Sequence, residues 1–173
     1  KAHAAGNLTA TTDESVYQSA DVVVVDIPLD ISFLDEEPQL KMSSLEQAIR
    51  VVGKQVPAGA LVLIETTVPP GTCENVVVPV LQDELRRRNL DQHAIHLAFS
   101  FERVMPGNEY LDSIVNYWRA YAGHTAVAAD VCESFLTSII DIERFPLTRL
   151  SSMTAAETTK VMENTYRAVN NSQ

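Results

Sequence analysis

The sequence predicts an α/β fold built on a largely parallel β-sheet, and three observations support this prediction. Short apolar segments rich in β-branched residues occur at intervals along the chain. Most are followed by stretches of about ten to fifteen residues whose apolar positions repeat with helical periodicity. Polar loops begin where several of the apolar segments end. This alternation is typical of strands joined by crossover helices, which cover both faces of a parallel sheet.

The first quarter of the chain supplies one strand, one loop and one helix. Residues 20–27 are apolar and β-branched at their centre, which is typical of a strand buried on both faces. An acidic, proline-containing loop is predicted over residues 29–40. A helix is predicted over residues 42–55, with Ser43 or Ser44 as its N-cap.

The next segments repeat the strand-to-helix pattern. Residues 60–65 form a second buried strand, and a proline-rich turn leads from it into a helix over residues 72–88. Pro79 falls inside that helical pattern, where it should kink the helix or delay its start.

The second half of the chain continues the alternation to its end. Strands are predicted over residues 94–99 and 118–122, and a helix over residues 125–139. A short strand over residues 143–150 precedes a closing helix that starts at Met153.

Composition limits the classes of function. The chain has 173 residues, 46% of them hydrophobic, and a net charge of -10, which argues against a nucleic-acid or anionic-membrane surface. No apolar run reaches the roughly 20 residues that cross a bilayer. Cys73 and Cys132 are far apart and lack metal-ligand spacing, so we expect no disulfide, no metal site and a cytoplasmic protein. Because the chain opens at Lys1 without a signal-peptide pattern, we expect a piece of a longer protein.

Ligands of open α/β sheets bind beyond the carboxyl ends of the strands, which selects three loops here. The first starts at Pro28, the second covers residues 66–71, and the third covers residues 100–107. In the second loop, the hydroxyls of Thr66 and Thr67 precede a helix N-terminus that suits an anion or a bound water. A proline-stiffened connection without a ligand is the alternative.

Charged side chains in the third loop and the closing helix are the other candidates. Glu102 and Arg103 follow a buried strand. Glu102 could act there as a catalytic acid, or the two side chains could form a surface salt bridge. Lys160 and Asn164 are four residues apart, so both project from one helix face. Such a pair could stabilise an oxygen that gains negative charge, or simply form a solvated polar face.

Four segments carry recognisable motifs. They are residues 20–28 (ADVVVVDIP), 65–72 (ETTVPPGT), 101–107 (FERVMPG) and 156–170 (AETTKVMENTYRAVN). In this order and spacing they resemble the nucleotide-sugar dehydrogenase family, whose members oxidise UDP-glucose, GDP-mannose and their N-acetylated relatives. The form of the third motif is most similar to the UDP-N-acetylmannosamine and UDP-N-acetylglucosamine 6-dehydrogenases.

The resemblance implies a domain organisation and a reaction. Residues 1–150 would be the C-terminal portion of an NAD-binding domain, part of a Rossmann-like doubly wound parallel sheet. Residues 151–173 would start the long central helix of the dimerisation domain. The family oxidises the C6 alcohol of a UDP-sugar to the carboxylate in two steps, with NAD as cofactor and a cysteine that captures the aldehyde. The complete protein would be a cytoplasmic homodimer or higher homo-oligomer acting in polysaccharide biosynthesis.

The resemblance also implies residue roles. Lys160 would stabilise the oxyanion formed at C6, and Asn164 would hydrogen-bond beside it. Glu102 would assist thioester hydrolysis as a base or through a water, and Thr67 would orient that water and approach the nicotinamide. The implied cofactor contacts are Pro28, Thr66 and Thr67, and the implied substrate contacts are Glu102, Arg103, Val104, Lys160, Asn164 and Arg167. Arg167 could instead pair with Glu163, one helical turn away.

The sequence also departs from the family. It has no Gly-x-Gly-x-x-Gly turn, the family's nucleophilic cysteine lies beyond Gln173, and Leu29 replaces a threonine that contacts the cofactor. We therefore expect the central part of a dehydrogenase, which alone would not complete a catalytic cycle. A catalytically inactive nucleotide-sugar-binding module and a dimerisation module are the alternatives.

Overall fold

A computed structural model describes residues 6–29, 31–34, 37–102 and 110–171. The described residues form the strands β1 (Val22–Val25), β2 (Ile31–Leu34), β3 (Glu37–Leu40), β4 (Leu61–Ile64), β5 (His96–Phe99), β6 (Ala120–Gly123) and β7 (Thr148–Arg149). The α-helices are α1 (Ser43–Gln55), α2 (Val78–Arg87), α3 (Tyr110–Val115), α4 (Ala126–Thr137) and α5 (Met153–Asn171). A 3₁₀ helix at Glu14–Ser19 and a π-helical segment at Cys73–Val77 complete the elements.

The main sheet has five strands in the order β1-β4-β5-β6-β7. The β1–β4, β4–β5 and β6–β7 pairs are parallel, and β5 pairs antiparallel with β6. The predicted α/β fold with a largely parallel sheet is therefore confirmed. In the register, Ile64 of β4 lies between Val25 of β1 and Phe99 of β5. The carboxyl ends of these three strands consequently meet at one edge of the sheet, as the loop argument required.

Apolar side chains cover the central strand β4 on both faces, whereas the edge strand β1 is covered on one face only. Val24 of β1 is 44% exposed, so the prediction that this strand is buried on both faces is wrong. Along β4, Val62 and Ile64 face a core shared with α1, α2 and the start of α5, while Leu61 and Leu63 face a core shared with α4. All four residues are at most 1% exposed, which explains why the strand reads as a continuous apolar run rather than an alternating one. Within the described residues, no helix combines the length and apolarity that a membrane crossing requires.

The predicted loop over residues 29–40 is wrong in part, because β2 and β3 form an antiparallel hairpin there. Ile31 is 62% exposed, so this hairpin is not enclosed and its sequence lacks the buried run that revealed the other strands. The predicted serine N-cap of α1 is also wrong. Met42 occupies the cap position and makes no side-chain cap hydrogen bond, while Ser43 is already the first helical residue.

The predicted helix over residues 72–88 is divided between the π-helical segment and α2. Pro79 lies in the first turn of α2, directly after the π-helical segment, so the hydrogen-bonding pattern of the helix changes next to the proline, and the predicted delay of the helix start is wrong. The predicted strand over residues 143–150 shrinks to Thr148–Arg149. The 3₁₀ helix and α3 were not predicted, since six residues are too few to show helical periodicity.

Candidate functional site

Thr66 joins the ends of β1 and β4. The N–H of Ile27 donates to Thr66 Oγ1 at 2.8 Å, and that hydroxyl lies 3.3 Å from the Val25 carbonyl to which it donates. Thr66 is 5% exposed, so its hydroxyl serves the junction between the strands. The neighbouring Thr67 and Pro28 are exposed at the same edge of the sheet. Of the two threonines singled out by sequence, Thr67 is therefore the one that faces outward.

An open apolar cleft of about 420 Å³ lies beside Thr67. It is lined by residues that follow β1 and β4, together with the hairpin and one residue of α5: Leu29, Ile31, Leu40, Thr67, Val68, Pro69, Pro70 and Val161. Its walls are almost entirely apolar, with the Thr67 side chain as a polar exception. Such a cleft suits a flat, weakly polar ring that needs few directional contacts.

Lys160 of α5 reaches the end of β5. Its ammonium group donates to the main-chain carbonyl of Glu102 at 2.8 Å and lies 5.2 Å from the centre of the Phe101 ring. Lys160 is 6% exposed. A buried ammonium is costly unless hydrogen bonds satisfy it, and the carbonyl and the ring face together supply favourable contacts for the charge. The structure thus brings together Lys160 and Glu102, which sequence reasoning had selected from segments far apart in the chain.

Glu157, on the same helix, holds the loop that follows β4. One carboxylate oxygen accepts a hydrogen bond from the N–H of Gly71 at 2.5 Å, and the other accepts from the N–H of Cys73 at 2.7 Å. The residue is completely buried. The sequence predicted that this helix start suits an anion, and Glu157 supplies one from within the protein.

On the opposite face of the sheet, Arg119 forms an ion pair with Glu65 at 2.5 Å. The pair lines a cavity of about 210 Å³ together with Asp26, Glu102 and Tyr110, among others. Burial raises the pKa of the Glu65 carboxyl; Arg119 opposes this shift, and the charges of Asp26 and Glu102 add to it. Sequence reasoning missed this cluster. Glu65 opens the second motif, but nothing in the sequence around Arg119 indicated a partner.

Asn164 and Arg167 lie on the exposed part of α5. Arg167 Nη2 donates to Asn164 Oδ1 at 2.8 Å and lies 3.6 Å from a carboxylate oxygen of Glu163. The pairing of Arg167 with Glu163 that the sequence left open is therefore present. Arg103 and Val104, the other predicted substrate contacts, lie outside the described residues.

The two cysteines are buried and free. Burial raises the pKa of the Cys73 thiol, and the nearby Glu157 carboxylate raises it further. Burial likewise raises the pKa of Cys132 to about 12. A thiol attacks as its thiolate, so neither environment prepares a nucleophile.

Comparison with known proteins gives a consistent result. Residues 1–133 match the NAD binding domain of the UDP-glucose/GDP-mannose dehydrogenase family. UDP-N-acetyl-D-mannosamine dehydrogenase of Pyrococcus horikoshii is 33% identical over 165 residues, which cover 95% of this chain and 37% of that protein. UDP-N-acetyl-D-glucosamine 6-dehydrogenase of Pseudomonas aeruginosa is 32% identical over 167 residues, with 96% and 37% covered. The chain thus spans little more than a third of the length of these curated relatives.

Solved structures agree with the sequence comparison. The UDP-D-ManNAc dehydrogenase of Pyrococcus horikoshii superposes with a TM-score of 0.80 at 30% identity, covering 97% of this chain and 37% of that one. The NDP-N-acetyl-D-galactosaminuronic acid dehydrogenase of Methanosarcina mazei gives the same TM-score at 29% identity, covering 95% and 33%. The Rossmann-like arrangement of strands and helices is therefore shared with these proteins.

Proposed function

The chain belongs to the UDP-glucose/GDP-mannose dehydrogenase family, and from this membership we propose that it is the central part of an NAD-dependent UDP-sugar 6-dehydrogenase. The complete protein oxidises the C6 alcohol of a UDP-sugar to the carboxylate in two steps. The observation that carries the proposal is the buried Lys160, whose ammonium contacts the loop after β5 at the ligand-binding edge of the sheet. The relatives support an N-acetylated UDP-sugar as the substrate class.

The residues fit one part of the NAD cofactor. The apolar cleft beside Thr67 offers apolar walls and a hydroxyl, which suit the nicotinamide ring, and Pro28 and Thr66 lie at the strand ends next to it. Bound here, NAD+ would supply the acceptor for the hydride that leaves C6. Thr67 would hold a polar group at the mouth of the cleft, and the remaining apolar walls would exclude water from it. Residues 1–150 would form the C-terminal portion of the NAD-binding domain, and residues 151–173 the start of the central helix.

The chain's polar residues have separable roles in this proposal. Lys160 stabilises negative charge on the C6 oxygen, since a fixed ammonium in a water-poor site acts without reorganisation, and Asn164 donates beside it. Glu102 assists hydrolysis of the thioester, either as a base or through a water that Thr67 orients. Arg103, Val104 and Arg167 contact the sugar nucleotide, with Arg167 released from Glu163 to do so.

The complete protein is a cytoplasmic homodimer or higher homo-oligomer that serves polysaccharide biosynthesis. Met162, Tyr166 and Val169 support the assembly, because they are 67%, 72% and 56% exposed and share a stripe along α5. An exposed apolar stripe on a helix is a common feature of subunit interfaces.

The test is an NADH-production assay on the complete gene product. UDP-N-acetylmannosamine, UDP-N-acetylglucosamine, UDP-glucose and GDP-mannose are offered separately with NAD+. We expect NADH and the corresponding uronic acid from one of the UDP-sugars. Binding of a UDP-sugar without NADH would support the inactive binding module instead. Dimerisation without either ligand would support the dimerisation module, the alternative that the apolar stripe on α5 favours.

A further inference from the structure

Helix α5 carries two buried charged side chains on one face, and each contacts a different loop. Glu157 and Lys160 are three residues apart, so they are neighbours on the helix surface. Glu157 binds the main chain of the loop after β4, and Lys160 binds the main chain of the loop after β5. One rigid helix therefore connects both loops that form the predicted site.

The Glu157 contact fixes the helix in a defined register. Its two oxygens accept from two separate N–H groups, Gly71 at 2.5 Å and Cys73 at 2.7 Å, which lie 86 and 84 residues earlier in the chain. Each N–H has a fixed direction set by the turn and the helix start. Satisfying both with one planar carboxylate restricts rotation as well as translation of α5 at this point.

Apolar packing holds the helix but is less sensitive to its rotation than directional hydrogen bonds are. Met153 and Ala156 of α5 are completely buried in the core beneath the sheet. Burial of apolar area is non-directional, so a small rotation of the helix changes it less than it changes the angle of a hydrogen bond. A carboxylate with two directional hydrogen bonds is sensitive to such shifts. This difference separates the role of Glu157 from that of its apolar neighbours.

We propose that Glu157 is a positioning residue of the dehydrogenase site, which holds the Lys160 helix in register with the loop that bears Thr67. The inference rests on the proposed function. A misplacement of about 1 Å can lower a turnover rate about 100-fold, because reacting groups must meet within a narrow geometry. Glu157 touches neither substrate nor cofactor in this role and acts through Lys160 and the loop.

The first test is steady-state kinetics on the complete gene product carrying Glu157→Gln. A carboxamide accepts only through its oxygen, so one of the two N–H groups of Gly71 and Cys73 loses its partner while the side-chain volume is kept. We expect kcat to fall about 10- to 100-fold with the Michaelis constants for sugar and NAD+ little changed, the signature of a lost transition-state geometry.

Glu84→Gln is the matched control. Glu84 is 2% exposed and pairs with Arg50 of α1 and Arg87 of α2, so it is another buried carboxylate between elements, but at a distance from the two loops. It should lower the melting temperature without lowering kcat. An unchanged kcat in Glu157→Gln, or an equal loss of kcat in Glu84→Gln, would overturn the proposal.

Amide hydrogen exchange provides a readout that does not depend on activity. Glu157→Gln should speed exchange at Gly71 and Cys73, and also at Ser100 to Glu102, because α5 transmits the change to the loop that Lys160 holds. Faster exchange confined to the first loop would overturn the coupling. If the parent protein produced no NADH but Glu157→Gln showed this exchange pattern, the proposed function would be wrong. The coupling of the two loops through α5 would still be supported.

Discussion

The ammonium of Lys160 donates a 2.8 Å hydrogen bond to the main-chain carbonyl of Glu102, 58 residues earlier in the chain. The Phe101 ring centre lies 5.2 Å from the same ammonium, so the carbonyl and the ring face both offer it favourable electrostatic contacts. Lysine is seldom buried unless its ammonium is paired, and at 6% exposure Lys160 depends on such contacts. The contact holds the Lys160 side chain at the edge where the parallel strands end, as the role proposed for it requires.

Replacing Lys160 by methionine should separate activity from stability. Methionine fills a similar volume without a buried charge, so we expect the free energy of unfolding to stay within about 2 kcal/mol of the parent value. The kcat for sugar oxidation should fall about 100- to 1000-fold, because the charge that stabilises the oxyanion is lost. Urea unfolding and steady-state kinetics measure the two effects. Lys54→Met, on the exposed end of α1, is the matched control and should change neither. An unchanged kcat in Lys160→Met would contradict the proposal that Lys160 stabilises the oxyanion.

Replacing Glu65 by glutamine should reveal the raised pKa of this carboxyl as a pH-dependent stability difference. A raised folded-state pKa means that the folded protein binds the proton more tightly than the unfolded chain. The stability that the parent gains from this group is therefore fully present below the unfolded value of 4.5 and is lost as the pH rises through the folded pKa. The parent-minus-variant difference in unfolding free energy should grow as the pH falls from neutrality towards 4.5 and then level off. Urea unfolding across that range measures it, and a difference that shrinks on acidification would contradict the assignment.

The sequence predicted the sheet well because the relevant signals are local. The β-branched run around Val24 and the apolar run around Val62 each identify a strand from a few neighbouring residues. The parallel register then places Thr66 and Glu102 at one edge without further information.

The contacts that organise the site could not be predicted in the same way. Glu157 meets Gly71 across 86 residues, and Arg119 meets Glu65 across 54, so neither pair leaves a spacing that a sequence reader could detect. Glu157 was visible only as part of a motif, in which its neighbour Lys160 carried the chemical argument. The hairpin at residues 31–40 was missed for a different reason, since its residues lack the buried alternation that identifies a strand.

Both cysteines should resist modification in the folded protein. Burial raises the pKa of the Cys73 thiol, and that of Cys132 rises to about 12, so the reactive thiolate is scarce and enclosed at both positions. We expect iodoacetamide at mildly alkaline pH to leave both residues unlabelled in the native complete protein. Labelling in denaturant, followed by peptide mass analysis, is the positive control. Rapid native labelling of Cys73 would show that the loop after β4 opens, contrary to the Glu157 contact.

Replacing Gly71 by alanine should destabilise the protein more than the same change at Gly59. Both glycines have a positive φ, 89° and 87°, so alanine at either position incurs a backbone cost of about 1–2 kcal/mol. A Cβ at Gly59 meets nothing within 4 Å, whereas a Cβ at Gly71 would lie 2.9 Å from Asn75 Nδ2. That amide donates to the Gly71 carbonyl at 2.8 Å, so it must move and weaken the turn that also presents an N–H to Glu157. Asn75 is exposed and its amide can swing aside, so the additional cost at Gly71 should be about 0.5–1.5 kcal/mol, the usual net contribution of the one hydrogen bond that is lost. Urea unfolding of the two variants measures the difference. Gly59→Ala is the control, because it carries the φ strain alone. Equal losses of unfolding free energy in the two variants would show that the turn accommodates the Cβ freely.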